Sequence, residues 1–119
     1  MKILGIAFTG TPVTNISRSR EFYEGVLGLT PTLETLGGML VEYSFNNGTF
    51  TIGCLGAAFK PSSDGSFIAL EVANLESCIA ELHTQGVKFL IEITELPSSR
   101  FAVILDPDEN KIMIHERKP

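Results

Sequence analysis

Asp106-Pro107-Asp108-Glu109-Asn110-Lys111-Ile112-Met113-Ile114-His115 is a turn followed by a strand. Asp and Asn side chains bond their own backbone in turns, and proline presets φ for one. Behind the turn, Lys111, Met113 and His115 alternate with Ile112 and Ile114, so the two sets face opposite sides of a strand. Residues 101–105 supply the preceding strand of a hairpin. Glu109 is strained if its position in the turn needs a positive φ.

Working outward, the second half repeats the first. Phe8 matches Phe67, Val13 matches Val72, Asn15 matches Asn74 and Ile16 matches Leu75. In each half an apolar stretch ends at an asparagine. Asparagine is a strong helix cap because its side-chain oxygen accepts a bond from an orphan helical N–H. Leu75, Cys78, Ile79 and Leu82 then recur at helical spacing, as do Ile16, Phe22, Tyr23, Val26 and Leu27. Gly28 and Gly86 allow the left-handed turn that stops each helix. Strand patterns follow at 30–34, 39–45 and 49–54 in the first half, with Asn46-Asn47-Gly48 as a hairpin turn and Gly37-Gly38 as punctuation. In the second half they follow at 87–94, 101–105 and 111–115. The expected fold class is α+β, one 119-residue domain of two βαβββ modules, 1–60 and 67–119, joined by a linker over 61–66. A lone module exposes one face of its sheet, and two can curl their concave faces around a shared interior.

Composition narrows the function. A hydrophobic share of 44% against 19% charged residues fits a globular protein with its own core. The net charge is −5, and Arg117-Lys118 is the only basic cluster, so a phosphate backbone would find too few positive contacts. Nucleic acid is therefore not an expected partner. No apolar run reaches the roughly 20 residues that span a bilayer, so no membrane partner is expected either. Met1-Lys2-Ile3-Leu4 shows no signal-peptide pattern, which makes the expected location cytoplasmic. Cys54 and Cys78 lie far apart in apolar segments and read as buried free thiols.

Two motifs carry a family resemblance. Asn15-Ile16 followed by Phe22-Tyr23 and Leu27-Gly28-Leu29 resembles the first helix of the vicinal-oxygen-chelate proteins, the glyoxalase / bleomycin-resistance / extradiol-dioxygenase superfamily. The turn at 106–110 resembles their last hairpin, with Glu109 in place of the usual Gly. The resemblance implies U-shaped, barrel-like sheets around a cavity and a homodimer. It also implies metal ligands, usually His on the first strand of each half and Glu or Gln on the last. Here those positions fall on Phe8, Phe67 and Met113, with Thr51 as the fourth. Phenyl rings and a thioether are not ligands for Mg, Mn, Fe(II) or Zn. The expectation is accordingly no metal and no cofactor.

A cavity lined by Phe8, Thr51, Phe67 and Met113 suits an aromatic or aliphatic ligand. His115 shares the face of Met113 and reads either as a pocket base or as an exposed strand end. Glu71 shares the parity of Phe67, and Glu42 opposes Tyr43. A carboxylate among apolar neighbours holds its proton to higher pH and can serve as general acid or base, the alternative being a solvent-facing residue. Arg100, placed just before the penultimate strand, could meet an anion at the pocket mouth or remain a surface charge. His83, near the end of the second helix, reads as a solvated residue. The favoured function is a metal-free, bleomycin-resistance-like protein that binds a small, largely apolar molecule. The lack of tryptophan argues against bleomycin itself, although a cationic drug would suit the acidic balance. One alternative is a lyase, isomerase or dioxygenase of the glyoxalase type, with catalysis by Glu42, Glu71 or His115. Another is a structural subunit that fills its own cavity.

Overall fold

A computed structural model describes residues 1–119. The chain divides into two compact units, Met1–Pro61 and Ser62–Pro119. The first contains β1 (Thr9–Pro12), α1 (Ile16–Arg20), β2 (Leu33–Thr35), β3 (Leu40–Phe45) and β4 (Gly48–Gly53). The second contains β5 (Ile68–Glu71), α2 (Leu75–Thr84), β6 (Lys88–Glu95), β7 (Ser99–Leu105) and β8 (Lys111–Arg117). Both have the element order βαβββ. Each carries a four-stranded sheet, ordered β1-β4-β3-β2 in the first and β5-β8-β7-β6 in the second. In each, the first strand runs parallel to the last and the other pairs are antiparallel.

Both asparagine caps form. Asn15 Oδ1 accepts from Arg18 N, and Asn74 Oδ1 from Ser77 N, each at 3.0 Å. The second helix has a further cap from its own sheet, where Glu116 Oε1 accepts from Leu75 N at 2.7 Å. A carboxylate at a helix N-terminus also meets the positive end of the helix dipole. That backbone bond is the main reason the Glu116 carboxyl lies below its ordinary range.

The first helix differs from a regular α-helix after Arg20. Residues Glu21–Val26 continue as a wider π-type turn, with Leu27 N bonding Phe22 O at 2.9 Å. This places the adjacent Phe22 and Tyr23 both in the core. The segment ends at Gly28, whose φ of 76° only glycine adopts freely.

One face of each sheet packs against its helix. In the first unit that core is aromatic: Tyr23 lies 5.3 Å from Phe50 between ring centroids, and Tyr43 stacks on Phe50 at 6.1 Å. Such pairs add about 0.5–1.5 kcal/mol each beyond area burial. The Tyr43 hydroxyl donates to Glu24 at 2.9 Å, and Arg20 bridges Glu24 and Glu34. Burial, with that carboxylate second, holds the Tyr43 phenol well above its ordinary range. In the second unit the core is aliphatic: Leu75, Ile79 and Leu82 from α2 with Ile104, Ile112 and Ile114 from the sheet.

Several boundaries differ from the sequence expectation. The first strands begin one residue after Phe8 and Phe67, because the ladders open at Thr9–Phe50 and Ile68–Ile112. Arg100 lies inside β7, which begins at Ser99. Both cysteines are free but only partly buried, so the expectation of buried thiols is corrected. Cys54 lies just past β4, and Cys78 is on α2.

Candidate functional site

The helix-free faces of the two sheets carry the sequence candidates. Strand register assigns each residue to a face. In the first unit Thr51 of β4 pairs with Gly10 on one side and Glu42 on the other, and Glu42 pairs in turn with Leu33. All lie opposite the buried Tyr43 and Phe50. Thr51 is fully buried and its hydroxyl donates to Thr9 O at 2.9 Å. Glu42 is half-buried between Thr51 and Leu33.

The second unit repeats the arrangement. Met113 of β8 pairs with Ala69 on β5 and Val103 on β7. Thr51 and Met113 are thus equivalent, each paired with the residue two places after Phe8 or Phe67. Phe8 is 51% exposed and Phe67 58% exposed, and each immediately precedes its unit's first strand.

The donor chemistry at these four positions does not fit the divalent ion that the family likeness implies. Phe8, Phe67 and Met113 supply no nitrogen or oxygen, and the Thr51 hydroxyl is engaged with Thr9. No three His, Cys, Asp or Glu side chains converge anywhere in a manner that could hold an ion.

The polar chemistry on the helix-free faces centres on Glu71 and His115. They are paired residues of the parallel strands β5 and β8. Glu71 Oε1 lies 2.6 Å from His115 Nδ1, and Glu71 Oε2 accepts from Arg117 N at 2.7 Å. These contacts, the backbone amide first and the imidazole second, hold the Glu71 carboxyl below its ordinary range. The sequence expectation of a raised pKa at Glu71 is therefore corrected. Parity placed both residues on one face but could not pair them, because the pairing depends on the β5–β8 register. The parallel alignment of first and last strands was the signal that would have revealed it.

Arg100 stands apart from this group. It pairs with Glu116 on the helix side of β7 and bridges Glu116 at 3.2 Å and Glu76 at 3.1 Å. Its charge is compensated at the start of α2, not on the face of Met113. His83 is half exposed, bonds Glu92 at 2.8 Å and stacks on Phe89 at 4.0 Å.

The result is two βαβββ units whose helix-free sheet faces mix apolar and polar side chains, the second carrying a hydrogen-bonded histidine–carboxylate pair. A family model for the Glyoxalase/Bleomycin resistance protein/Dioxygenase superfamily matches residues 5–114, and the chain belongs to that superfamily. Solved structures agree on the fold. A glyoxalase family protein from Bacillus anthracis superposes with a TM-score of 0.81 at 22% identity, covering 99% of this chain and 98% of the other. TnmS3, an antibiotic binding protein from Streptomyces sp. CB03234, gives 0.80 at 19% identity with 99% of both chains covered. A lactoylglutathione lyase from Agrobacterium tumefaciens gives 0.73 at 16% identity, covering 97% of this chain and 95% of that one. No curated relative matches the chain in sequence.

Proposed function

We propose that this protein binds a small, largely apolar molecule against the helix-free faces of its sheets, without a resident metal. The observation that carries the reading is the identity of Phe8, Thr51, Phe67 and Met113 at the four positions discussed above. Two of these are phenyl rings more than half exposed. A phenyl ring in water gains by covering its face with another apolar surface. Leu33 and Ile91 extend the exposed apolar surface on these same faces, at the outer strands. A neighbour described as an antibiotic binding protein supports the reading. The same reading makes the protein a cytoplasmic homodimer that engages neither nucleic acid nor membrane. No helix is long and apolar enough to cross a bilayer.

The test is native mass spectrometry and metal analysis on protein purified without chelator. The expected result is a dimer, metal far below one equivalent, and retained or readily added apolar ligand. Phe8→Ala and Phe67→Ala should each weaken an aromatic ligand by roughly tenfold, about 1.4 kcal/mol. Near-stoichiometric Ni, Zn, Mn or Fe would instead favour a glyoxalase-type lyase, isomerase or dioxygenase. Failure to bind any apolar probe would favour a structural subunit.

A further inference from the structure

We infer that Glu71 and His115 form a proton-accepting site on the helix-free face of the second sheet, presenting imidazole Nε2 to a weakly acidic O–H of the bound molecule. The inference rests on the proposed binding function and names the chemistry of its ligand: an uncharged, largely apolar molecule with one phenolic or enolic hydroxyl.

The geometry fixes which nitrogen is free. Both oxygens of Glu71 are engaged, one with His115 Nδ1 at 2.6 Å and one with Arg117 N at 2.7 Å. An ionised carboxylate has no proton to give, so Nδ1 must carry it and donate. The hydrogen bond made by one ring nitrogen sets the role of the other, and Nε2 of the neutral ring is therefore a lone-pair acceptor. None of the hydrogen bonds of His115 uses Nε2. The side chain is 22% exposed, screened from water yet open to a ligand.

The surroundings of His115 on this face are these. Phe101 lies directly across on β7, and Met113 is the next residue on the same face of β8. Neither can compete as an acceptor of charged hydrogen bonds. The charged groups on this face are Glu71 on β5, Arg117 and the more distant Lys111 on β8, and Lys88 at the far end of β6. Glu116 faces α2 and is bound by Arg100 and Leu75 N. When a hydroxyl proton passes to Nε2, the O–H bond breaks, its electron pair stays on oxygen and an N–H bond forms. Glu71 then faces an imidazolium, and Arg117, the next residue on the same face of β8, adds a second positive charge to that face. A carboxylate, an imidazolium, a guanidinium and an oxyanion leave the site neutral in sum. Glu71 acts through His115 and is a positioning residue.

The probe pair is 4-nitrophenol, whose phenolate absorbs in the visible, and 4-nitroanisole, its O-methyl counterpart that cannot donate. The expected result is roughly tenfold tighter binding of 4-nitrophenol, the size of one good hydrogen bond. A phenolate band should also appear at a pH where the free phenol is mostly protonated. His115→Phe should abolish the preference and the band while retaining 4-nitroanisole. Glu71→Gln should keep binding of 4-nitroanisole but diminish the band, because the one amide oxygen can accept from only one of His115 Nδ1 and Arg117 N and no longer favours the charged ring. Equal affinity of the native protein for both probes, with no band, overturns the inference and leaves the binding function standing. Binding of neither probe overturns both.

Discussion

Replacing Asp106 by alanine should cost the protein about 3–5 kcal/mol, an effect large for a residue in a turn. Asp106 is only 3% exposed. Its Oδ1 accepts from Asp108 N and Asn110 N, and its Oδ2 from Asn110 Nδ2, each at 2.8 Å. The backbone closes around this carboxylate, with Glu109 N bonding Asp106 O at 2.9 Å and Asp106 N bonding Asn110 O at 3.0 Å. A hydrogen bond to a charged group contributes about 1.5–3 kcal/mol, and a buried donor left without a partner keeps its full desolvation cost. Asp108 is half exposed and can turn its N–H to water, so two of the three bonds dominate the loss. Asp106→Asn should be milder, about 1–2 kcal/mol, because Oδ1 survives and only the bond to the Asn110 amide is disturbed. Urea unfolding by circular dichroism measures both. With a slope of about 1–3 kcal/mol per molar, Asp106→Ala should lower the midpoint by roughly 2 M. A loss below about 1 kcal/mol for Asp106→Ala would show that the carboxylate does not organise this hairpin.

Glu109 is exposed and adopts a φ of 65°, so Glu109→Gly should stabilise by about 0.5–1 kcal/mol in the same assay; destabilisation would mean the side chain contributes something the turn geometry does not show. Ser19 Oγ is fully buried without a hydrogen-bond partner, so Ser19→Ala should be neutral or stabilising by up to about 1 kcal/mol, read as a rise in melting temperature. The Glu71 carboxyl is depressed in the folded state, so its contribution is present above the unfolded carboxyl range and is lost as pH falls through the folded value. Glu71→Gln should therefore flatten the acid limb of stability against pH, and an unchanged acid limb would show that the pairing with His115 and Arg117 adds nothing to folding.

What the sequence revealed was mostly local chemistry. Asn15 and Asn74 cap helices through bonds spanning three residues, and Gly28 and Gly86 stop them through their own φ values. The turn at 106–110 and the strain at Glu109 are equally local. Elements that depend on distant partners were less legible. The widening of the first helix over Glu21–Val26 accompanies the packing of adjacent Phe22 and Tyr23, which no helical repeat announces. Arg100 lies on the helix side because β7 begins at Ser99 and Glu116 and Glu76 converge on it. Glu71 and His115 are 44 residues apart, and only the parallel register of β5 and β8 makes them neighbours.

That register explains why the two halves can share a scaffold and differ in chemistry. Pro12 pairs with Gly53 where Glu71 pairs with His115. The same backbone bond closes both places, Val13 N to Gly53 O at 2.9 Å and Val72 N to His115 O at 2.8 Å. That closing bond forms whether the side chains are a proline and a glycine or a carboxylate and an imidazole. On the opposite face the core tolerates no such freedom, since Ile52 and Ile114 are both buried against a helix and a polar group there would cost several kcal/mol without a partner. Residues on the helix-free face are held to chemistry by what they contact, not by what the fold requires. The second half holds a hydrogen-bonded carboxylate and imidazole at a position the first half leaves without any titratable group, so under the proposed binding function a polar ligand atom would be recognised by one sheet only.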